Sequence, residues 1–155
     1  MNFQRELLNK MDNRAAFKFY KKVLKRNKYC TISTCSLKGK PESAVMNYAE
    51  TKEGKMYFYC FDDFRKYPNL IENPRISIVV YNHPNYIQID GSITCLRGDK
   101  AKKAKEELIK KHGGHVYYHA DPRCVYFLFT PTWIKIRVDE KFPAKYVTIN
   151  KNDRS

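Results

Sequence analysis

The hydrophobic pattern changes period along the chain. Residues 3–11 place Phe3, Leu7, Leu8 and Met11 at helical spacing. Asp12 can cap a second helix, on which Ala15, Ala16, Phe19, Tyr20, Val23 and Leu24 form one apolar stripe. From Tyr29 the period shortens to that of strands. TISTC, SAVMNYAE and KMYFYCF predict three strands separated by the turns SLKGKP and TKEG, an antiparallel meander. DDFRKYPNLIENP predicts a short helical or loop segment, its helix starting at Pro68, where proline is tolerated. RISIVVY is nearly all apolar and predicts a fully buried strand. YIQIDGSITCL predicts a longer strand with a bulge at Gly91. Residues 99–112, DKAKKAKEELIKKH, predict a helix capped by Asp99, and CVYFLFTPTWIKIRV predicts two strands around Thr130-Pro131. Six to eight short strands with flanking helices make a mainly β (α+β) fold. A closed or partly closed barrel suits them better than a flat sheet, because closure removes edges.

The chain has 155 residues, the size of one domain. That domain is expected over 1–150, with 151–155 a frayed tail. Apolar residues at 43 % and aromatics at 14 % exclude disorder, and no apolar run reaches the ~18 residues of a membrane span. The first residues lack the apolar core of a secretory signal, so a cytoplasmic location is expected. The five cysteines (30, 35, 60, 95 and 124) include no C-x-x-C and are expected as reduced thiols. His112, His115 and His119 invite a zinc reading, but HGGHVYYHADP is too rich in Gly and Pro for a helix and reads as a surface loop. The net charge of +14 attracts anions, and its densest clusters fall on predicted helices, where lysine usually lines a solvated face.

Self-sufficient active-site motifs are missing: G-x-G-x-x-G, G-K-[ST], G-x-S-x-G and H-E-x-x-H do not occur. The acid pairs Asp62-Asp63 and Glu106-Glu107 read as caps or solubilising charge. Any reactive chemistry therefore points to a bound cofactor. The most informative segment is FYCFDDFRKYPNLIENPR, residues 58–75. Arg65 and Lys66 stand beside a helix start, where a guanidinium fork, an ammonium and free backbone N–H groups suit a phosphate dianion. Taken alone, such a pair also reads as ordinary surface charge.

In order and spacing, Phe58-Tyr59-Cys60, then Phe64-Arg65-Lys66, then Asn73-Pro74-Arg75-Ile76-Ser77 resemble the flavin-binding split barrels related to pyridoxamine phosphate oxidase. The resemblance covers roughly residues 28–137. It implies a split barrel and a homodimer with flavin mononucleotide (FMN) between subunits. Carried over, Arg65 and Lys66 hold the phosphate, Tyr59 and Cys60 line the ribityl–phosphate region with Phe64, and Val45, Met46 and Asn47 contact the isoalloxazine. Tyr86 and Gln88 of the partner subunit approach the ring edge, and Trp133 stacks near the flavin. The departures are equally specific. The oxidases' R-x-V-L-L-K strand is here Ala44-Val45-Met46-Asn47-Tyr48-Ala49, without either cation, and Phe64 and Cys60 replace a Ser and a Thr. The resemblance thus implies an FMN-dependent oxidoreductase other than pyridoxamine phosphate oxidase, acting on a small molecule with an electron donor such as NAD(P)H. Two alternatives stand beside it. One is a binding module for haem, a deazaflavin or another small ligand. The other is a nucleic-acid-binding barrel, disfavoured because no RNP-like motif occurs and the basic residues favour helices over aromatic strands.

Overall fold

The computed structural model describes residues 12–83, 85–114, 117–137 and 142–153. Helix α1 (Asn13–Arg26) begins as the pattern predicts: the Asp12 carboxylate accepts from the Ala15 N–H at 2.7 Å. Ala16, Tyr20, Val23 and Leu24 are its buried side. The helix expected over 3–11 lies outside the described residues.

Eight strands form one antiparallel sheet: β1 (Tyr29–Cys35), β2 (Pro41–Asn47), β3 (Ala49–Glu50), β4 (Met56–Phe61), β5 (Arg75–Asn82), β6 (Asn85–Leu96), β7 (Cys124–Arg137) and β8 (Tyr146–Asn150). The order is β2-β1-β5-β6-β7-β4-β3, with β8 also on β7. The sheet curls into a split barrel whose lumen is filled by side chains such as Ile32, Phe58, Ile78, Ile89, Phe127 and Ile134. A smaller apolar cluster lies beneath α3 (Gly98–His112), built on Leu96, Ala104, Leu108 and Tyr126.

Four expectations need correction. SAVMNYAE is two strands, because Tyr48 turns into the core and its hydroxyl donates to the Leu24 carbonyl at 2.8 Å. Arg97, not Asp99, is the N-cap of α3; Asp99 sits in the first turn, where its charge favours the helix dipole. RISIVVY is buried on one side only: Ile76, Ile78 and Val80 face the lumen, while Val79 and Tyr81 are exposed. The two strands expected in CVYFLFTPTWIKIRV are a single strand of 14 residues, Cys124–Arg137.

That long strand explains the bulge. Gly91 pairs with Pro131 and Asp90 with Trp133, so the extra residue is Thr132 on β7, not one on β6. Lumen positions shift from Phe127 and Phe129 to Ile134 and Ile136 across it. A Cβ on Gly91 would lie 2.3 Å from the Thr130 carbonyl oxygen and 2.6 Å from the Phe129 ring. Only glycine permits that approach.

One corner ties three elements together. The Lys111 ammonium donates to the Leu24 carbonyl of α1 at 2.9 Å, pairs with Glu50 of β3 and lies 4.0 Å from the centre of the Tyr48 ring. The next residue, His112, bonds the Tyr48 carbonyl at 2.8 Å.

Two predictions follow from this packing. Gly91→Ala should cost about 1–3 kcal/mol by overpacking, lowering Tm by about 2–10 °C. Gly114→Ala, which has open space around its Cβ position, should leave Tm unchanged. Equal Tm values for the two variants in a thermal melt would refute the close approach.

The second concerns pH. Burial pushes the Cys30 thiol up to about 12, with Lys111 pulling it down. Burial likewise pushes Cys60 up to about 11, against Lys66. The folded protein keeps both protons where the unfolded chain sheds them. Their stabilisation is complete below the ordinary thiol value of 9.0 and is lost as pH climbs toward 11 and 12. Lys111 acts oppositely, since burial lowers its pKa below 10.5 and the unfolded chain then binds the extra proton. In reducing denaturant titrations from pH 9 to 10.5, Cys30→Ala should lose less stability than wild type, by up to about 1.4 kcal/mol per pH unit. Parallel pH profiles would refute the burial argument.

Candidate functional site

The turn after β4 carries the two cations, and it is fixed by the short helix behind it. Helix α2 (Tyr67–Glu72) starts one residue before Pro68, which occupies its first turn. Asn69 Nδ2 donates to Thr34 Oγ1 at 3.1 Å, and Asn73 Nδ2 donates to the Cys35 carbonyl at 3.0 Å. These two amides dock α2 onto the end of β1.

On this base Arg65 and Lys66 behave differently. Arg65 is 75 % exposed, with Nε 3.4 Å from the Glu42 carboxylate of β2. An exposed pair of this kind contributes little to stability. Lys66 is only 9 % exposed. Its Nζ lies 4.8 Å from the centre of the Phe64 ring, and among the described residues no hydrogen-bond or ion-pair partner meets it. A buried ammonium without a counter-charge is costly and asks for an anion.

The other proposed contacts fall in three places. Cys60 points into the lumen, 1 % exposed, and its thiol donates to the neighbouring Phe61 carbonyl at 3.2 Å. Phe64 is 44 % exposed and packs on Phe61 with ring centres 5.2 Å apart. Tyr59 alternates to the opposite side of β4, where its ring meets His119 at 4.7 Å. His119 is itself buried and bonded to the Tyr126 hydroxyl at 2.9 Å, rather than on a surface loop. Burial raises the Tyr59 and Tyr126 hydroxyl pKa values, so both stay protonated.

Val45, Asn47, Tyr86, Gln88 and Trp133 share the outer face of the sheet. Pairing sets Val45, Thr31, Val79, Gln88 and Lys135 in one row across five strands. Trp133 lies beside Asp90 in the row on one side of it, and Tyr86 beside Tyr81 in the row on the other. Met46 does not join them: it is buried, and only its backbone can serve a ligand on that face. On the same face a groove of about 550 Å³ is lined by Ser33, Arg75, Ser77, Asp90 and Thr132. Asp90 accepts a short hydrogen bond from Ser77. Sequence reading passed over Glu42 as the partner of Arg65 and missed this groove. The four-residue spacing of Asn69 and Asn73 was the available signal for the docking amides.

Among the described residues no cluster of His, Cys, Asp or Glu could hold a metal ion. No described helix is long and apolar enough to cross a membrane. All five cysteines are free thiols.

Comparison with known proteins bears on the family. No curated protein matches the chain in sequence. Among solved structures, a Clostridium acetobutylicum protein related to general stress protein 26, of the pyridoxinephosphate oxidase family, superposes with a TM-score of 0.69 at 18 % identity, covering 92 % of this chain and 98 % of that one. The haem storage protein HutZ of Vibrio cholerae gives 0.64 at 15 % identity, covering 78 % and 91 %. Campylobacter jejuni ChuZ gives 0.76 at 14 % identity, covering 89 % of this chain and 60 % of its own. At such identities these structures share the fold alone. The sequence model for pyridoxamine 5'-phosphate oxidase matches residues 17–137, most of the chain, and the protein belongs to that family.

Proposed function

We propose that the protein binds FMN in a cleft shared by two copies of the chain and acts as a flavin-dependent oxidoreductase. The observation that carries this reading is Lys66, a buried ammonium that meets no ion-pair partner among the described residues, beside an exposed arginine. A phosphate there meets the charge requirement of the site, with Arg65 adding a forked donor. Cys60 and Phe64 offer no hydroxyl, and the Cys60 thiol is already spent on a backbone carbonyl. The phosphate is thus held by charge, and affinity is modest. When bound, FMN supplies hydride and electron transfer. The chain binds and orients it, through Val45, the Met46 backbone and Asn47 on one strand, Tyr86 and Gln88 of the partner subunit, and Trp133 stacked near the ring.

The shared cleft is supported by the outer face. Val45, Val79, Tyr81 and Tyr86 are 71, 41, 57 and 38 % exposed in a single chain. Exposed apolar and aromatic side chains gathered on one face ask for cover, and a two-fold copy supplies a self-complementary one. A second reading, haem in the same barrel, rests on the shared fold with HutZ and a Mycobacterium smegmatis haem-binding protein. Purified protein distinguishes them by colour: flavin bands support the first reading, and a Soret band the second.

The phosphate site is tested by fluorescence titration of stripped protein. Lys66→Met and Arg65→Ala should each weaken FMN binding about 10- to 100-fold and leave riboflavin, which lacks the phosphate, nearly unchanged. Ligand-free Lys66→Met should melt no lower than wild type, because among the described residues it breaks no ion pair. Equal losses for both ligands, or none, would move the phosphate elsewhere. For the assembly, sedimentation velocity at micromolar concentration should give a dimer that Val79→Glu together with Tyr81→Glu converts to folded monomer. A wild-type monomer would remove the shared cleft.

A further inference from the structure

The exposed side of α1 has a composition that flavin binding does not use. Between Asp12 and Glu42 the sequence contains no acidic residue. Arg14, Lys18, Lys22, Lys25, Arg26 and Lys28 are all exposed, and among the described residues none has an ion-pair partner. Arg14, Lys18, Lys22 and Arg26 follow one another at four-residue steps, which stacks them along one side of the helix about 5–6 Å apart. The row is about 18 Å long from Arg14 to Arg26.

In one respect this row works against the helix that carries it, because like charges four residues apart destabilise a helix. The Asp12 cap meets the positive end, and Lys25 and Arg26 suit the negative end.

We infer that the exposed row of cations on α1 is a docking surface for the phosphate backbone of nucleic acid, bound without sequence preference. The chemistry separates this from other anionic partners. Ala16, Tyr20, Val23 and Leu24 are committed to the core, so the helix cannot insert an apolar side into lipid, and a membrane could hold the row by headgroup charge alone. A protein interface draws on aromatic and apolar anchors and is depleted in lysine, whereas the exposed side of α1 is almost all lysine and arginine. Evenly spaced point charges fit a repeating phosphate chain.

The test uses the full chain and a fluorescein-labelled 20-nucleotide DNA of mixed sequence, single-stranded and as the duplex, in anisotropy titrations between 50 and 200 mM salt. Wild type should bind at least one form at 50 mM salt, with affinity falling steeply as salt rises. Lys18→Glu, Lys22→Glu and Lys25→Glu combined should weaken binding about tenfold or more and reduce the log–log salt slope by about 2. Lys100→Glu, Lys102→Glu and Lys105→Glu combined make the same change in net charge on α3 and should cost less than about a third as much. Circular dichroism melts should show both variants folded. No binding by wild type at 50 mM salt overturns the inference. Equal loss in the two variants overturns it too, by assigning the effect to net charge. So does equal or tighter binding to vesicles of anionic phospholipid, which assigns the row to membranes.

Discussion

The approach of Gly91 to the Thr130 carbonyl is what lets one strand serve both halves of the sheet. β7 pairs with β6 along most of its length, but its other edge is divided: β4 takes the first half and β8 the second. A regular strand could not curl enough to meet both. The extra residue at Thr132 bends β7 and keeps its apolar side toward the lumen after the bend. The lumen core, the platform under α3 and the open outer face all follow from this one irregularity.

Much of this was legible in the sequence. Period-2 runs with glycine turns marked the meander, Asp12 marked the start of α1, and Gly91 marked the bulge. The errors have physical causes. Tyr48 looks like one more strand residue, but its hydroxyl finds the end of α1, a partner 24 residues away. RISIVVY looks fully buried because two of its outward residues, Val79 and Tyr81, are also apolar. Hydrophobicity reports that a face wants cover, not which chain covers it. At the site, Arg65 and Lys66 look equivalent in sequence. Only packing distinguishes an exposed cation that pairs with Glu42 from a buried one that meets no ion-pair partner among the described residues.

That distinction shapes the site. The turn of residues 62–66 is held on one side by the Asp62 N–H on the Arg123 carbonyl and the Asp63–Arg123 pair, and on the other by α2, which the amides of Asn69 and Asn73 dock. Lys66 is buried, and its amine lies 4.8 Å from the centre of the Phe64 ring. The outer face carries the complementary features, with aromatic and apolar side chains beside a polar groove of serines, Arg75 and Asp90.

The Lys111 corner has a kinetic consequence. One ammonium links the last turn of α1, the two-residue strand β3 and the end of α3, while the Tyr48 hydroxyl shares the same Leu24 carbonyl. Neither helix end can fray alone without stripping partners from a buried charge. The amide hydrogens of these three segments, far apart in sequence, therefore exchange with solvent water through one common opening, and the corner behaves as a single foldon.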